Sequence, residues 1–242
     1  MTNLSVNINK IALLRNSRGR DYPNLESFAL KLVDLGVDGI TIHPRQDQRH
    51  ITDQDAYMLG ELLKNNIQVE LNIEGYPSDS FLKLIEDILP DQCTFVPDSP
   101  NQLTSDHGWD LKTRMDEVKE AVIRVKSLNV RTALFMDPEL DQLELVPESG
   151  ADRIELYTES FAVAFAKGEP EQELKRHQAA VQRANHLQIG VNAGHDLDLQ
   201  NLASYLSIGD VLEVSIGHAL TIESIEHGMN KVVDQYLQIC RH

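Results

Sequence analysis

Short apolar runs rich in β-branched residues alternate with longer amphipathic stretches from one end of the chain to the other. This is the pattern of βα units around a parallel sheet. The strand candidates are Leu4 to Ile11, Gly39 to His43, Ile67 to Ile73, Gln92 to Val96, Val130 to Met136, Arg153 to Tyr157, Gln188 to Val191 and Val211 to Ile216. Between them, Leu25 to Leu35, Phe81 to Leu89, Leu111 to Leu128 and Leu197 to Leu206 place apolar residues at spacings of three and four, as helices packed on a sheet require. Thr52 with Asp55 reads as a capping box built on a shorter acid, Ser78 after Pro77 as an N-cap, and Gly36 and Gly150 as helix stops. Two stretches interrupt the period, the polar loop Pro97 to Asp110 and the segment Glu159 to His186, broken by Gly168 and Pro170. Each reads as an insertion after a strand, because the same alternation resumes beyond it. The fold class expected is α/β, a (β/α)₈ TIM barrel with extra helical insertions, forming a single domain over residues 1–242. A doubly wound open sheet is the competing arrangement, but no GxGxxG follows the first strand.

Composition narrows the partners. Acidic residues outnumber basic ones 38 to 22, a formal charge of −16, which argues against a nucleic-acid or anionic-membrane surface. No apolar run approaches the roughly 20 residues of a membrane span. The start MTNLSVNINK carries no secretory or transit signature, so a cytoplasmic location is expected. Cys93 and Cys240 form no CxxC or metal-ligand spacing and read as reduced structural thiols.

In a barrel, a polar residue at the C-terminal end of a strand faces the active-site mouth. By that rule His43, His195 and His218 end strands two, seven and eight, with His50 in the loop after strand two. His177, His186, His227 and His242 fall on helical or terminal segments, as structural or solvated residues, and His107 lies in the long polar loop. A metal is the obvious alternative use of the strand-end histidines. Against it stand the absence of HxH, HExxH or a Cys/His cluster and the fixed charge of Arg45 two residues after His43, so neither metal nor cofactor is expected. Glu70 lies inside the apolar strand Ile67 to Ile73 and is expected to point into the barrel as a general base or acid, with an internal salt bridge to a barrel arginine as the alternative. Glu155, in Arg153-Ile-Glu-Leu-Tyr157, invites the same reading. The loop His43-Pro-Arg-Gln-Asp-Gln-Arg-His50, with Arg15 and Arg18 after strand one, concentrates cations in an acidic protein and reads as an anion pocket, or else as a salt-bridge network. Asn192-Ala-Gly-His195 and Ser215-Ile-Gly-His218 close strands seven and eight with the same Gly-His ending, where barrels commonly bind phosphate, and suggest a second anion site.

These strings, together with Val6-Asn-Ile, Leu14-Arg-Asn-Ser-Arg-Gly19, Asp38-Gly-Ile-Thr-Ile-His-Pro-Arg45 and Arg49-His-Ile-Thr-Asp53, run in order through essentially the whole chain and resemble the pyridoxine 5′-phosphate synthase family of vitamin B6 biosynthesis. The resemblance implies a transferase-type (β/α)₈ barrel that joins 1-deoxy-D-xylulose 5-phosphate to 3-amino-2-oxopropyl phosphate with release of phosphate and water. It implies His43 and Glu70 as proton acceptors, His195 as proton donor and Glu155 as transition-state stabiliser. It further implies that Asn7, Arg18, Gly194, Gly217 and His218 hold the aminoketone phosphate, that Arg45, His50 and Thr104 hold the sugar phosphate, and that the chain forms a dimer-based homo-oligomer, possibly an octamer. The sequence departs from the family at Asn9 and Lys10, where an Asp-His pair contacts the sugar phosphate, and also at His107-Gly108, Thr158-Glu159 and Ile222-Glu223. Lys10 could form an imine with a ketone if burial lowers its pKa. Two other readings stay open: a paralogue acting on a related phosphorylated ketone and amine, and a non-catalytic barrel that binds phosphorylated metabolites.

Overall fold

The computed structural model describes every residue except Asn65, Ile67, Ser99, Pro100, Asn101, Leu103 and His242. Expectations for Ile67, Pro100 and His242 therefore lie outside the described residues. Among those described, the strands β1 (Asn3–Asn7), β2 (Gly39–Ile42), β3 (Glu70–Gly75), β4 (Gln92–Phe95), β5 (Arg131–Met136), β6 (Arg153–Tyr157), β7 (Gly190–Gly194) and β8 (Glu213–Ile216) pair in parallel and in chain order, and β8 returns to β1. The result is a closed (β/α)₈ barrel. The helices are α1 (Asn9–Asn16), α2 (Leu25–Asp34), α3 (Asp53–Leu63), α4 (Asp79–Ile88), α5 (Leu111–Lys126), α6 (Leu140–Leu143), α7 (Val146–Ser149), α8 (Glu159–Ala166), α9 (Glu171–His186), α10 (Leu202–Leu206), α11 (His218–His227) and α12 (Met229–Arg241). None is long and apolar enough to cross a membrane.

Local chemistry accounts for many of the element ends. Thr52 and Asp55 form a reciprocal capping box on α3, and Ser78 caps α4 by accepting from the Phe81 amide. Gly150 ends α7 in the left-handed region at φ 79°. The segment Glu159 to His186 is the helix pair α8 and α9, whereas residues 97–110 run from β4 to α5 with no helix or strand among those described. Strand one is shorter than its apolar run predicts. It stops at Asn7, and Asn9 and Lys10 open α1.

Alternation divides each strand between two environments. Outward residues such as Ile40, Ile42, Leu71, Ile73, Ile154, Leu156, Val191 and Val214 are buried against the helices. The inward set is polar. Ser5, Thr41, Asn72 and Thr94 are linked by side-chain hydrogen bonds of 2.7, 3.3 and 2.9 Å across β1 to β4. Such a chain satisfies polar groups that would each be costly if buried alone. Cys93 and Cys240 are both buried and free, and burial raises both thiol pKa values, that of Cys240 to about 12.

Candidate active site

A cavity of about 440 Å³ opens at the C-terminal ends of the strands. Seven strands or the segments that follow them supply its walls: Asn7, Asn9 and Lys10 after β1; His43, Arg45 and His50 after β2; Glu74 on β3; Thr104 after β4; Glu155 and Tyr157 on β6; His195 after β7; and Gly217 with His218 after β8.

The acid/base groups stand close together. His43 Nδ1 lies 3.9 Å from Glu74 Oε2, and both side chains are almost wholly buried. Burial, helped by the Arg45 charge, holds the His43 imidazole well below its usual pKa and therefore neutral. Burial and the nearby carboxyls of Glu155 and Asp98 push Glu74 well above the usual carboxylate range. Glu155 is pushed up to about 8 by burial and by Glu213. The backbone N–H of His43 donates to Asn9 Oδ1 at 2.9 Å, and the Asn9 N–H donates to Asn7 Oδ1 at 3.0 Å. Asn9 therefore fixes where strand two turns out into the pocket.

His195 has φ 83°, a left-handed conformation that costs a non-glycine residue about 1–2 kcal/mol. The surroundings hold it there. Its ring packs between Phe135 and Tyr157 at centroid distances of 5.2 and 5.1 Å, and the Thr158 hydroxyl meets the carbonyls of Gly194 and His195. Burial lowers the His195 pKa, so this imidazole also enters the site neutral. Gly194 leaves room for Glu155 in its present rotamer, since a Cβ there would force the Glu155 carboxyl to move.

The cations lie on one flank. Arg45 bonds Asp98 at 2.6 Å and the Gln102 carbonyl at 3.0 Å, while Ser105 donates to the same Asp98 oxygen at 2.8 Å. The other carboxylate oxygen, Asp98 Oδ1, is buried with no hydrogen-bond partner among the described residues. His50 Nδ1 accepts from the Ile51 amide at 2.9 Å, which leaves Nε2 as the N–H donor of the neutral ring. Burial, with Arg45, Arg49 and Lys10, lowers its pKa to about 4. Among the described residues, no group of three His, Cys, Asp or Glu side chains is placed to hold a metal.

The family model described as pyridoxal phosphate biosynthesis protein PdxJ matches residues 4–242. Pyridoxine 5′-phosphate synthase of Christiangramia forsetii is 46% identical over 242 residues, 100% of each chain. The enzyme of Bacteroides thetaiotaomicron is 45% identical over the same length and coverage. The chain belongs to this family. Among solved structures, thiamine phosphate pyrophosphorylase from Pyrococcus furiosus is similar with a TM-score of 0.64 at 12% identity, covering 99% of this chain and 95% of that one. For 3-hexulose-6-phosphate synthase the TM-score is 0.63 at 12% identity, covering 98% and 99%. At that identity the likeness is of fold alone.

Within the pyridoxine 5′-phosphate synthase family frame, the structure brings together His43, Glu155, His195, Asn7, Asn9, Lys10, Arg45, His50, Thr104, Gly217 and His218, with Gly194 directly beside Glu155. Glu70 and Arg18 stand apart. Glu70 opens β3 at the opposite end of the barrel, is 41% exposed, and makes a two-pronged ion pair with Arg131, the salt bridge that was the alternative reading of this residue. Glu70 keeps the inward parity of β3 but stands at the strand's entry level. Residues 70, 72 and 74 share a face, and Glu74 lies four residues nearer the mouth, about 13 Å along a strand. The apolar run ends at Ile73, one residue short of Glu74. Arg18 is exposed in the turn after α1, outside the cavity, and Arg15 is tied to Asp55 at 2.5 Å and 2.7 Å. Lys10 is exposed at the cavity rim, so the burial an imine-forming lysine needs is missing. Tyr157 and Glu159, hydrogen-bonded to each other, also line the cavity, and Asp98 stands behind Arg45; strand-six parity from Glu155 points to the tyrosine.

Proposed function

We propose that this chain is a working pyridoxine 5′-phosphate synthase, condensing 1-deoxy-D-xylulose 5-phosphate with 3-amino-2-oxopropyl phosphate in the cavity at the barrel mouth. The observation that carries this reading is the convergence of two neutral imidazoles and two proton-retaining carboxyls, His43, His195, Glu74 and Glu155, between a cationic flank and the Gly-His end of β8. The amine of one substrate adds to the ketone of the other and water leaves to give an imine. Carbon-bound protons are then removed, phosphate departs, and ring closure with dehydration ends at the pyridine.

Each of these steps moves protons between groups that must be able to both give and take them. His43, being neutral, accepts. Its neighbour Glu74 takes the role assigned to Glu70 from sequence, passing protons to and from His43 across the 3.9 Å gap. His195 serves as donor after collecting a proton, its ring fixed by Phe135 and Tyr157. Glu155, protonated at neutral pH, offers a hydrogen bond to oxygen as negative charge gathers on it. Arg45, the His50 Nε2–H, Thr104 and Lys10 receive one phosphate, and Asn7, Gly217 and His218 the other.

Incubating the protein with both phosphates and following the absorbance of the pyridine product tests this reading. Phosphate release without pyridine would instead mark a related substrate pair, and binding without turnover a phosphometabolite-binding barrel. Two narrower expectations attach to the same assay. Because Glu155 is protonated below about pH 8 and ionised above it, its donor function is present below that pH and lost as pH rises through it. The kcat/KM profile should therefore fall above about pH 8, and Glu155→Gln, whose amide donates at every pH, should lack that limb while turning over more slowly. Lys10→Met should raise KM for one phosphate substrate about tenfold, the effect of losing about 1.4 kcal/mol of phosphate attraction, with kcat little changed. Borohydride should trap no adduct on Lys10.

A further inference from the structure

Below the pocket floor the barrel interior holds a polar group that the reaction as described does not use. Glu155, Asn192 and Glu213 are register partners on β6, β7 and β8, so the three inward side chains follow one another along the barrel wall, from Glu155 at the cavity to Glu213 beneath it. Glu213 is 4% exposed. Gln92 Nε2 and Asn192 Nδ2 donate to its Oε1 at 3.3 and 3.4 Å, and Arg153 Nη1 lies 3.9 Å from its Oε2. The amides are themselves oriented: Arg131 Nε donates to Gln92 Oε1 at 2.8 Å, and Arg153 Nη1 to Asn192 Oδ1 at 3.1 Å. Glu155 has no such clamp. Among the described residues no hydrogen-bond donor is seen on its carboxyl, which faces the cavity beside Gly194.

We propose that Glu213 is a positioning residue for the reaction: held as a carboxylate by Arg153, Arg131, Gln92 and Asn192, it compels its neighbour Glu155 to keep a proton and present it to the substrate. Two carboxyls in one water-poor interior do not both ionise readily, and the one with cations and donors around it ionises first. The charged and titratable groups around Glu155 are Glu213 from β8, Glu74 from β3, Arg153 one inward step below on its own strand, Arg131 from β5, and the imidazoles of His43 and His195 at the mouth. Both arginines act on Glu213, Arg153 from 3.9 Å and Arg131 through its charge while paired with Glu70. Glu74, on the pocket side, is itself pushed well above the usual carboxylate range by burial and by Glu155. Burial raises both carboxyls; Glu213 is the charge that raises Glu155 further, whereas Arg153 and Arg131 pull Glu213 back against its burial.

The catalytic consequence rests on the proposed synthase reaction, but the protonation order can be read without substrate. In full-length protein labelled with ¹³C at glutamate side chains, the carboxyl resonances of Glu155 and Glu213 are followed from about pH 4 to about pH 10, spanning the ordinary carboxyl range and the raised one. They are assigned by their loss in Glu155→Gln and in Glu213→Asp, which keeps the charge. Glu213 is expected to ionise at lower pH than Glu155, and in Glu213→Gln the Glu155 midpoint should drop by about one pH unit or more. The alkaline limb of kcat/KM should move down with it. Glu155 ionising before Glu213 in the native protein overturns the proposal, and so does a Glu155 midpoint unmoved in Glu213→Gln. If Glu213→Gln does not fold, the native order alone decides. A chain that makes no pyridine yet shows the expected order would refute the synthase reading and leave the protonation order standing.

Discussion

Glu74→Gln is expected to lower kcat by about 10³-fold, in the range for loss of a general acid or base, whereas Glu70→Gln leaves kcat within about twofold. The two glutamates sit on the same face of β3 and differ in height. Glu74 meets His43 in the cavity; Glu70 meets Arg131 at the far end. Replacing the Glu74 carboxyl by an amide keeps the shape but removes the only atom type there that can shuttle a proton with His43. Replacing Glu70 removes one partly exposed ion pair, for which a loss of about 1 kcal/mol or less is expected. Steady-state kinetics and thermal melts of the two variants separate the roles. Equal kinetic losses in both, or a fully active Glu74→Gln, would refute the assignment.

Arg45→Ala should have the second-largest effect, and it should act on two quantities at once. The Arg45 and Asp98 side chains are 9% and 5% exposed and joined at 2.6 Å. Removing the arginine strands the Asp98 charge, and breaking a buried pair in this way costs about 3–5 kcal/mol of stability. It also removes a phosphate ligand from the cationic flank, raising KM for the sugar phosphate by about 10²-fold. A double variant, Arg45→Ala with Asp98→Asn, should regain much of the melting temperature while KM stays high, because neutralising Asp98 relieves the stranded charge and supplies no phosphate ligand. Recovery of KM together with stability would show that Arg45 acts only through folding.

The neutral imidazoles explain why the site is built from strand ends and not from loops alone. Parallel strands carry their inward side chains into a dry, close-packed interior, and there the uncharged form of both histidine and glutamate is favoured. The same burial that lowers His43 and His195 raises Glu74 and Glu155. Uncharged acceptors and proton-carrying donors are thereby present together at neutral pH, which is what a sequence of proton transfers at one centre needs.

Sequence by itself determined the period of this protein. Alternating β-rich and amphipathic segments, capped by Thr52 and Ser78 and stopped by Gly36 and Gly150, specify eight βα units, because hydrophobic spacing and capping act over a few residues and are written locally. The strings around His43, His50, His195 and His218 were legible for the same reason, each lying at or just past a strand end. Tertiary structure decided what local pattern cannot hold: how far along each strand a side chain sits and which distant charge meets it. Glu70 and Glu74 share parity and differ only in level, and level is set by the register of β3 against β2 and β4. Arg15 and Arg45 look alike as cations in the sequence, yet closure of the barrel gives one to Asp55 and the other to Asp98 in the site. Glu155 and Glu213, 58 residues apart in the chain, are brought to either side of Asn192 only because β6, β7 and β8 close side by side.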